Sequence, residues 1–307
     1  MARSWKEQRE RGSGWLVYLG AWLVLSFGRG FGRLLMLPIS LYFALFSQGT
    51  AKASRNYLEK ALRRRARVWH VFKHYLTFSI TIMDRLYFLT DRSRAFQFDV
   101  KGDQHLQDYI DAGKGCILLG AHLGSFEALR TLGFEKKGLS VKALYYEYNS
   151  QQFDGLLRKL NPKVDAALIR MGSPHSMLEV KEFVDRGGMV GILGDRSRGN
   201  DKICSVEFLG QPAAFPIWPF RLAAAIGAPI VLFFGLYLGG RRYEIIFEPF
   251  TEAVTRDQLR DPIQTKELVR EYAGRIEHHC LRAPYNWFNF FDFWHRPAGA
   301  VGGAPSY

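Results

Sequence analysis

The chain has little cysteine. Cys116, Cys204 and Cys280 are the only three in 307 residues. An odd, scattered set excludes a disulfide framework and fits a reducing compartment. Acid is also scarce, with 29 Asp and Glu against 42 Lys and Arg, a net charge of +13. No uncharged apolar run reaches the roughly 20 residues of a bilayer-spanning helix. The mean hydropathy of −0.12 excludes a polytopic membrane protein. There is no GxSxG elbow, no GxxxxGK[ST] loop and no GxGxxG after a strand. A serine hydrolase, a P-loop enzyme and a dinucleotide fold therefore lack support. His278, His279 and Cys280 are adjacent on one helix and face different ways, so neither a metal site nor a cofactor is expected.

What is present is apolar and aromatic. Hydrophobic residues make up 48% and aromatics 15%, enough for a large core. The charge is uneven: residues 1–100 hold 17 basic and 6 acidic residues, and the remainder 25 and 23. A basic first third points to an anionic partner. Residues 15–27 and 34–46 are uncharged apolar runs, separated by Arg29 and Arg33. Three readings stand: one tilted span with arginines reaching headgroups, two interfacial segments, or a buried hairpin. Trp5, Trp15 and Trp22 near Arg3, Lys6, Arg9 and Arg11 favour a membrane interface. Residues 52–89 follow a helical period, with Lys52, Arg55, Lys60, Arg63, Arg64, Arg65, Arg67 and Lys73 on a basic face suited to anionic lipid. Nucleic-acid binding is not expected, because no zinc spacing, RNA motif or aromatic-basic strand is present. The expected division is an N-terminal membrane anchor, 1–48, and a catalytic domain, 49–307.

From residue 96 strands and helices alternate. Strands are expected at 96–100, 116–121, 141–148, 166–171, 189–195, 229–238 and 243–250. Helices are expected at 103–113, after 124, and at 153–160, 176–187, 216–227 and 264–282. Such alternation predicts an α/β fold with a largely parallel central sheet flanked by helices, whose ligands gather at the carboxyl ends of strands.

Two strand ends carry polar residues. In GAHLGSFEALR (120–130), His122 follows an apolar strand, Gly124 allows a turn, Ser125 caps the next helix and Glu127 falls in its first turn. On one helix His122 and Glu127 would lie about 140° apart, but across a strand-to-helix turn they meet. A carboxylate on one imidazole nitrogen fixes the tautomer and leaves the other as a base. Chance alone places a histidine five residues before an acid roughly 0.8 times in such a chain, and a helix-capping histidine explains the spacing equally well. The second strand end is GILGDRSRGN (191–200), with Asp195, Arg196 and Arg198. Its arginines suit a phosphate group, and a hydrated turn with a surface ion pair accounts for them too.

These residues carry a resemblance. His122-Leu-Gly-Ser-Phe-Glu127 is similar to the HX4(D/E) motif of the lysophospholipid acyltransferase superfamily. The branch it resembles most is the bacterial lipid A biosynthesis acyltransferases, the lauroyl and myristoyl transferases. MVGILGDRSRG (189–199), VEFLGQPAAFP (206–216) and the ending PYNWFNFFDFW (284–294) match further segments, so the resemblance spans nearly the whole chain. Arg196 departs from it, standing where the lipid A enzymes usually have glutamine.

The resemblance implies a membrane-bound O-acyltransferase at the cytoplasmic face of a bacterial inner membrane. His122 would take a proton from an acceptor hydroxyl and Glu127 would orient it. The hydroxyl would attack an acyl thioester of acyl carrier protein, or less favourably of coenzyme A. The acceptor would be a lipid or glycolipid. Backbone N–H groups at Gly124 and Ser125 would hold the oxyanion. Arg170, Arg196 and Arg198, with Asp195, would line the substrate site. A non-catalytic lipid-binding or scaffold protein of the same fold is the alternative.

Overall fold

A computed structural model describes residues 14–90, 92–128, 140–145, 155, 161, 167–171, 174–197 and 201–294. Three helices lead: α1 (Gly14–Phe46), α2 (Gln48–Ala61) and α3 (Val68–Leu89). An α/β body follows with β1 (Gln97–Lys101), α4 (Gln104–Asp111), β2 (Cys116–Gly124), β3 (Val141–Tyr145) and β4 (Leu168–Arg170). It continues through α5 (Pro174–Asp185), β5 (Met189–Leu193), β6 (Ile203–Phe208), β7 (Gln211–Pro216) and α6 (Trp218–Ile226). It closes with β8 (Ile230–Gly239), β9 (Arg242–Thr251) and α7 (Pro262–Arg282).

Seven strands form one sheet in the order β1-β9-β8-β2-β5-β3-β4. The five from β8 to β4 run parallel, β9 is antiparallel to β8, and β1 is parallel to β9. The α/β expectation holds, with an antiparallel edge beyond β8. Strand alternation builds two cores. Ile117 and Leu119 of β2, Val190 and Ile192 of β5, and Leu232 and Phe234 of β8 face α5, α6 and α7. Cys116 and Leu118, Met189, and Val231 and Phe233 face α1, α3 and α4. Each fully buried side chain of this kind is worth about 1.5–3 kcal/mol. Two helix ends show why the sequence stops and starts there. Asp261 accepts from Ile263 N at 2.8 Å before α7, and Gly227 takes φ 73° after α6.

The sequence reading is corrected at three places. Residues 52–89 are two helices, and Leu62–Arg67 is the connection between them, with Arg63 at φ 52°. Arg63, Arg64, Arg65 and Arg67 thus lie on an exposed turn, whereas Lys52, Arg55, Lys60 and Lys73 stand on the two helices as expected. Residues 203–216, where no strands were expected, form the antiparallel hairpin β6–β7. Arg29 does not reach outward: its guanidinium donates to Asp84 of α3 at 2.7 and 2.8 Å, and Tyr243 Oη donates to the same carboxylate at 2.8 Å. The helix expected at 153–160 lies, except for helical Gly155, outside the described residues.

The two N-terminal apolar runs join in α1, which breaks at Gly28, where the backbone leaves helical values. Among the described residues Trp15–Phe46 is the one helix long and apolar enough to cross a membrane. Ala21 and Val24 are buried against the sheet's underside layer. On the outside Trp15, Trp22, Phe27, Leu34 and Phe46 are each at least 60% exposed.

Candidate active site

β2 and β5 are adjacent and parallel, with Gly120 paired to Leu193. Two residues further along each strand stand His122 and Asp195. Neighbouring strands are about 4.8 Å apart, so equal offsets bring the two side chains together. Asp195 Oδ1 lies 2.6 Å from His122 Nδ1 and accepts the His122 backbone N–H at 3.0 Å. Its Oδ2 accepts Trp287 Nε1–H at 3.0 Å and Asn289 Nδ2–H at 2.8 Å. The carboxylate has no exposed surface, whereas a quarter of the His122 side chain is open.

Charge decides the tautomer. Burial works to raise the Asp195 carboxyl, but His122, Arg196 and Asn289 outweigh it and hold it below the usual carboxylate range. An ionised carboxylate only accepts, so Nδ1 carries the proton and Nε2 keeps its lone pair. Burial, the Arg196 guanidinium and Arg85 push the His122 imidazole below its ordinary 6.5, against the pull of Asp195. The ring is therefore neutral at neutral pH, as a base must be.

Glu127 was the residue expected to orient His122 through one ring nitrogen. The structure puts Asp195 there, and Glu127 Oε2 lies 2.9 Å from Arg85 Nε of α3. Asp195 in turn is enclosed as the partner of the imidazole, so it does not line an open substrate surface. The backbone donors expected for an oxyanion are both occupied. Gly124 N donates to Asn286 O at 2.8 Å and Ser125 N to Gly235 O at 2.7 Å. Gly124 itself is needed where it stands: φ is +78°, and a Cβ would meet Gly235 O at 1.9 Å. The Ser125 hydroxyl is buried with no hydrogen-bond partner among the described residues.

Arg196 lies on the same sheet edge as His122 but not on a wet turn. Its Nε donates to Asn289 Oδ1 at 2.7 Å and its Nη2 to Phe288 O at 2.9 Å. Asn289 thus stands between Arg196 and Asp195. Burial lowers the guanidinium to about 10, and Asp195 works the other way. Arg170 ends β4, three strand positions from β2 and so about 14 Å away. Its backbone O accepts Ser176 Oγ–H at 2.6 Å. Arg198 lies outside the described residues.

The chain's end supplies what the sequence reading missed. Residues 286–289 run antiparallel beside the His122 segment, with Leu123 bridged to Trp287. Phe288 N donates to His122 O at 2.7 Å. Asn286 Oδ1 accepts Tyr237 N–H at 2.8 Å. Trp287 is fully buried, its ring 4.9 Å from that of Tyr57 and 4.7 Å from that of Phe293. The one signal available beforehand was the polar pair Asn286 and Asn289 inside an otherwise aromatic run.

A model of the bacterial lipid A biosynthesis acyltransferase family matches residues 5–296. The chain belongs to that family. Membership supports acyl transfer as the activity and a lipid-directed, membrane-associated setting for it. The matched range takes in the N-terminal helices and the C-terminal segment beside His122. A search of curated proteins finds no match.

Proposed function

We propose that this acyltransferase moves a fatty acyl group from a thioester to a hydroxyl of a lipid or glycolipid, with His122 as general base and Asp195 as the group that orients it. His122 Nε2 takes the hydroxyl proton as the oxygen attacks the thioester carbonyl. Asp195 stabilises the resulting imidazolium. The tetrahedral intermediate collapses, the C–S bond breaks, and the imidazolium returns its proton to the leaving thiolate. Electrons and protons balance without any further group. The 2.6 Å contact between His122 and Asp195 carries this reading.

Glu127 acts at one remove, by holding Arg85, whose charge helps keep His122 neutral. With the Gly124 and Ser125 amides occupied, the Ser125 hydroxyl, which has no hydrogen-bond partner among the described residues, is the donor in this turn for the developing oxyanion. Acyl carrier protein is the preferred donor, since an acidic carrier suits a chain with a net charge of +13. The exposed face of α1 rests in the cytoplasmic leaflet of the inner membrane. The turn carrying Arg63, Arg64, Arg65 and Arg67 meets the anionic headgroups there, because Val68 beside it lines a common cleft with Ala44 and Leu45 of α1.

The test uses the protein in detergent micelles with radiolabelled lauroyl acyl carrier protein or lauroyl coenzyme A, and a bacterial membrane lipid extract. Label is expected in an esterified lipid, faster from the carrier protein. No labelled lipid from either donor would overturn the reading.

A further inference from the structure

The hydrogen bonds to Asp195 divide cleanly. Both donors to Oδ1 belong to His122, and both donors to Oδ2 belong to the C-terminal segment. That segment is tied down on every side. Asn286 pairs with Tyr237 of β8 through both amide atoms, at 2.8 and 3.2 Å. Its carbonyl and the Phe288 N–H bracket the His122 loop, at 2.8 and 2.7 Å. Arg196 grips Phe288 O and Asn289.

A further tie reaches the N-terminal helices. His74 of α3 is fully buried, with Nε2 2.8 Å from Trp287 O and Nδ1 2.8 Å from Ser54 Oγ of α2. A carbonyl only accepts, so Nε2 carries the proton and Nδ1 receives the Ser54 hydroxyl.

We propose that Trp287, Asn289 and His74 are positioning residues of the dyad, Trp287 and Asn289 by donating to the far oxygen of Asp195 and His74 by fixing the strap through the Trp287 carbonyl. The inference rests on the dyad proposed above. Its physical basis is that a buried carboxylate is as basic as its donors allow. Two neutral N–H groups on Oδ2 disperse the charge that Oδ1 presents to the imidazole. Remove one, and Asp195 holds the Nδ1 proton and its imidazolium more strongly. His122 then protonates at higher pH and spends less time as a base. Among the described residues, Arg196, Arg85, Glu127, Tyr272 and Cys280 are the other charged or titratable groups around the pair. None of them is substituted in the variants below, but Asn289→Ala also takes from Arg196 Nε its 2.7 Å acceptor, so Trp287→Phe is the variant that removes a donor to Asp195 alone.

The experiment is an NMR titration of histidine-labelled protein in micelles, with the His122 signal assigned by its loss in His122→Ala. Trp287→Phe keeps a ring but deletes one donor, and Asn289→Ala deletes the other. Each should raise the His122 midpoint by about one unit, the scale of one hydrogen bond to a charged form. The acid limb of kcat/KM for lauroyl transfer should move with it. His74→Gln, which keeps a donor near the Nε2 position, should leave the midpoint near wild type, whereas His74→Leu should shift it. A folded Trp287→Phe protein decides the matter, because it leaves the Arg196–Asn289 bond in place. An unchanged His122 midpoint in a folded Trp287→Phe protein would overturn the strap's role. A shifted midpoint in a protein that transfers no acyl group would instead leave the strap standing and refute the proposed reaction.

Discussion

Two aspartates in this protein are buried to the same degree and keep different company. Asp84 and Asp195 each have a side chain with no exposed surface. Asp84 takes two donors from Arg29 and one from Tyr243, all buried. Its main partner is charged at every relevant pH, and nothing at the pair faces solvent. Asp195 takes neutral donors from Trp287 and Asn289, and its remaining partner is a histidine with an open edge. Burial and saturation alone therefore mark structure. A saturated carboxylate on a titratable, partly open partner is the arrangement on which the proposed dyad rests.

Substitutions should separate the two. His122→Ala should lower lauroyl transfer by about 10²–10⁴, the range for losing a general base, with the thermal midpoint nearly unchanged. Arg29→Met should do the reverse, because it orphans a buried charge. A loss of about 3–5 kcal/mol of stability is expected, read by chemical denaturation in micelles, with normal activity per folded molecule. Deleting residues 1–48 would remove Arg29 together with buried Ala21 and Val24. A cleaner test of membrane attachment is Trp15→Gln with Trp22→Gln and Phe27→Gln on the exposed face. Flotation with anionic vesicles should weaken, while the fold survives.

Acid offers a second comparison, between His122 and His74. Burial lowers His74 to about 4, against the Trp287 carbonyl bond that raises it. Its folded value lies below the unfolded 6.5, so the folded state binds fewer protons. The stabilisation is full above about pH 6.5 and declines as pH falls toward 4, by at most about 3 kcal/mol. His74→Gln should flatten that decline. His122 is also lowered, so transfer should persist somewhat below pH 6.5 before its acid limb sets in. Arg196→Gln removes one cause of the lowering and should move that limb upward, the smallest effect of the set. An unmoved limb would show that Arg196 does not tune His122.

Much of this was legible in the sequence. Alternating strands and helices gave the sheet, and His122 was visible because it follows an apolar strand directly. Asp195 was visible as a strand-end residue, but its partnership was not. The spacing of Glu127 in the chain drew attention, whereas the decisive relation is between two parallel strands joined by about 70 residues. Pattern reading finds strands, not which pair is adjacent. The hairpin β6–β7 was missed because Gly210 and the prolines Pro212 and Pro216 interrupt its strand signal. The strap was missed because aromatic runs read as core, and Trp287 is core on its ring while its N–H donates to Asp195.

The account turns on which carboxylate serves His122. The direct measurement is the rate of lauroyl transfer by folded Asp195→Asn and Glu127→Gln proteins, side by side. Asp195→Asn should lose about 10²-fold or more, because the imidazole loses its proton acceptor and the imidazolium its counter-charge. Glu127→Gln should lose less, since Arg85 stays nearby. Full activity in Asp195→Asn, with activity abolished in Glu127→Gln, would contradict the account.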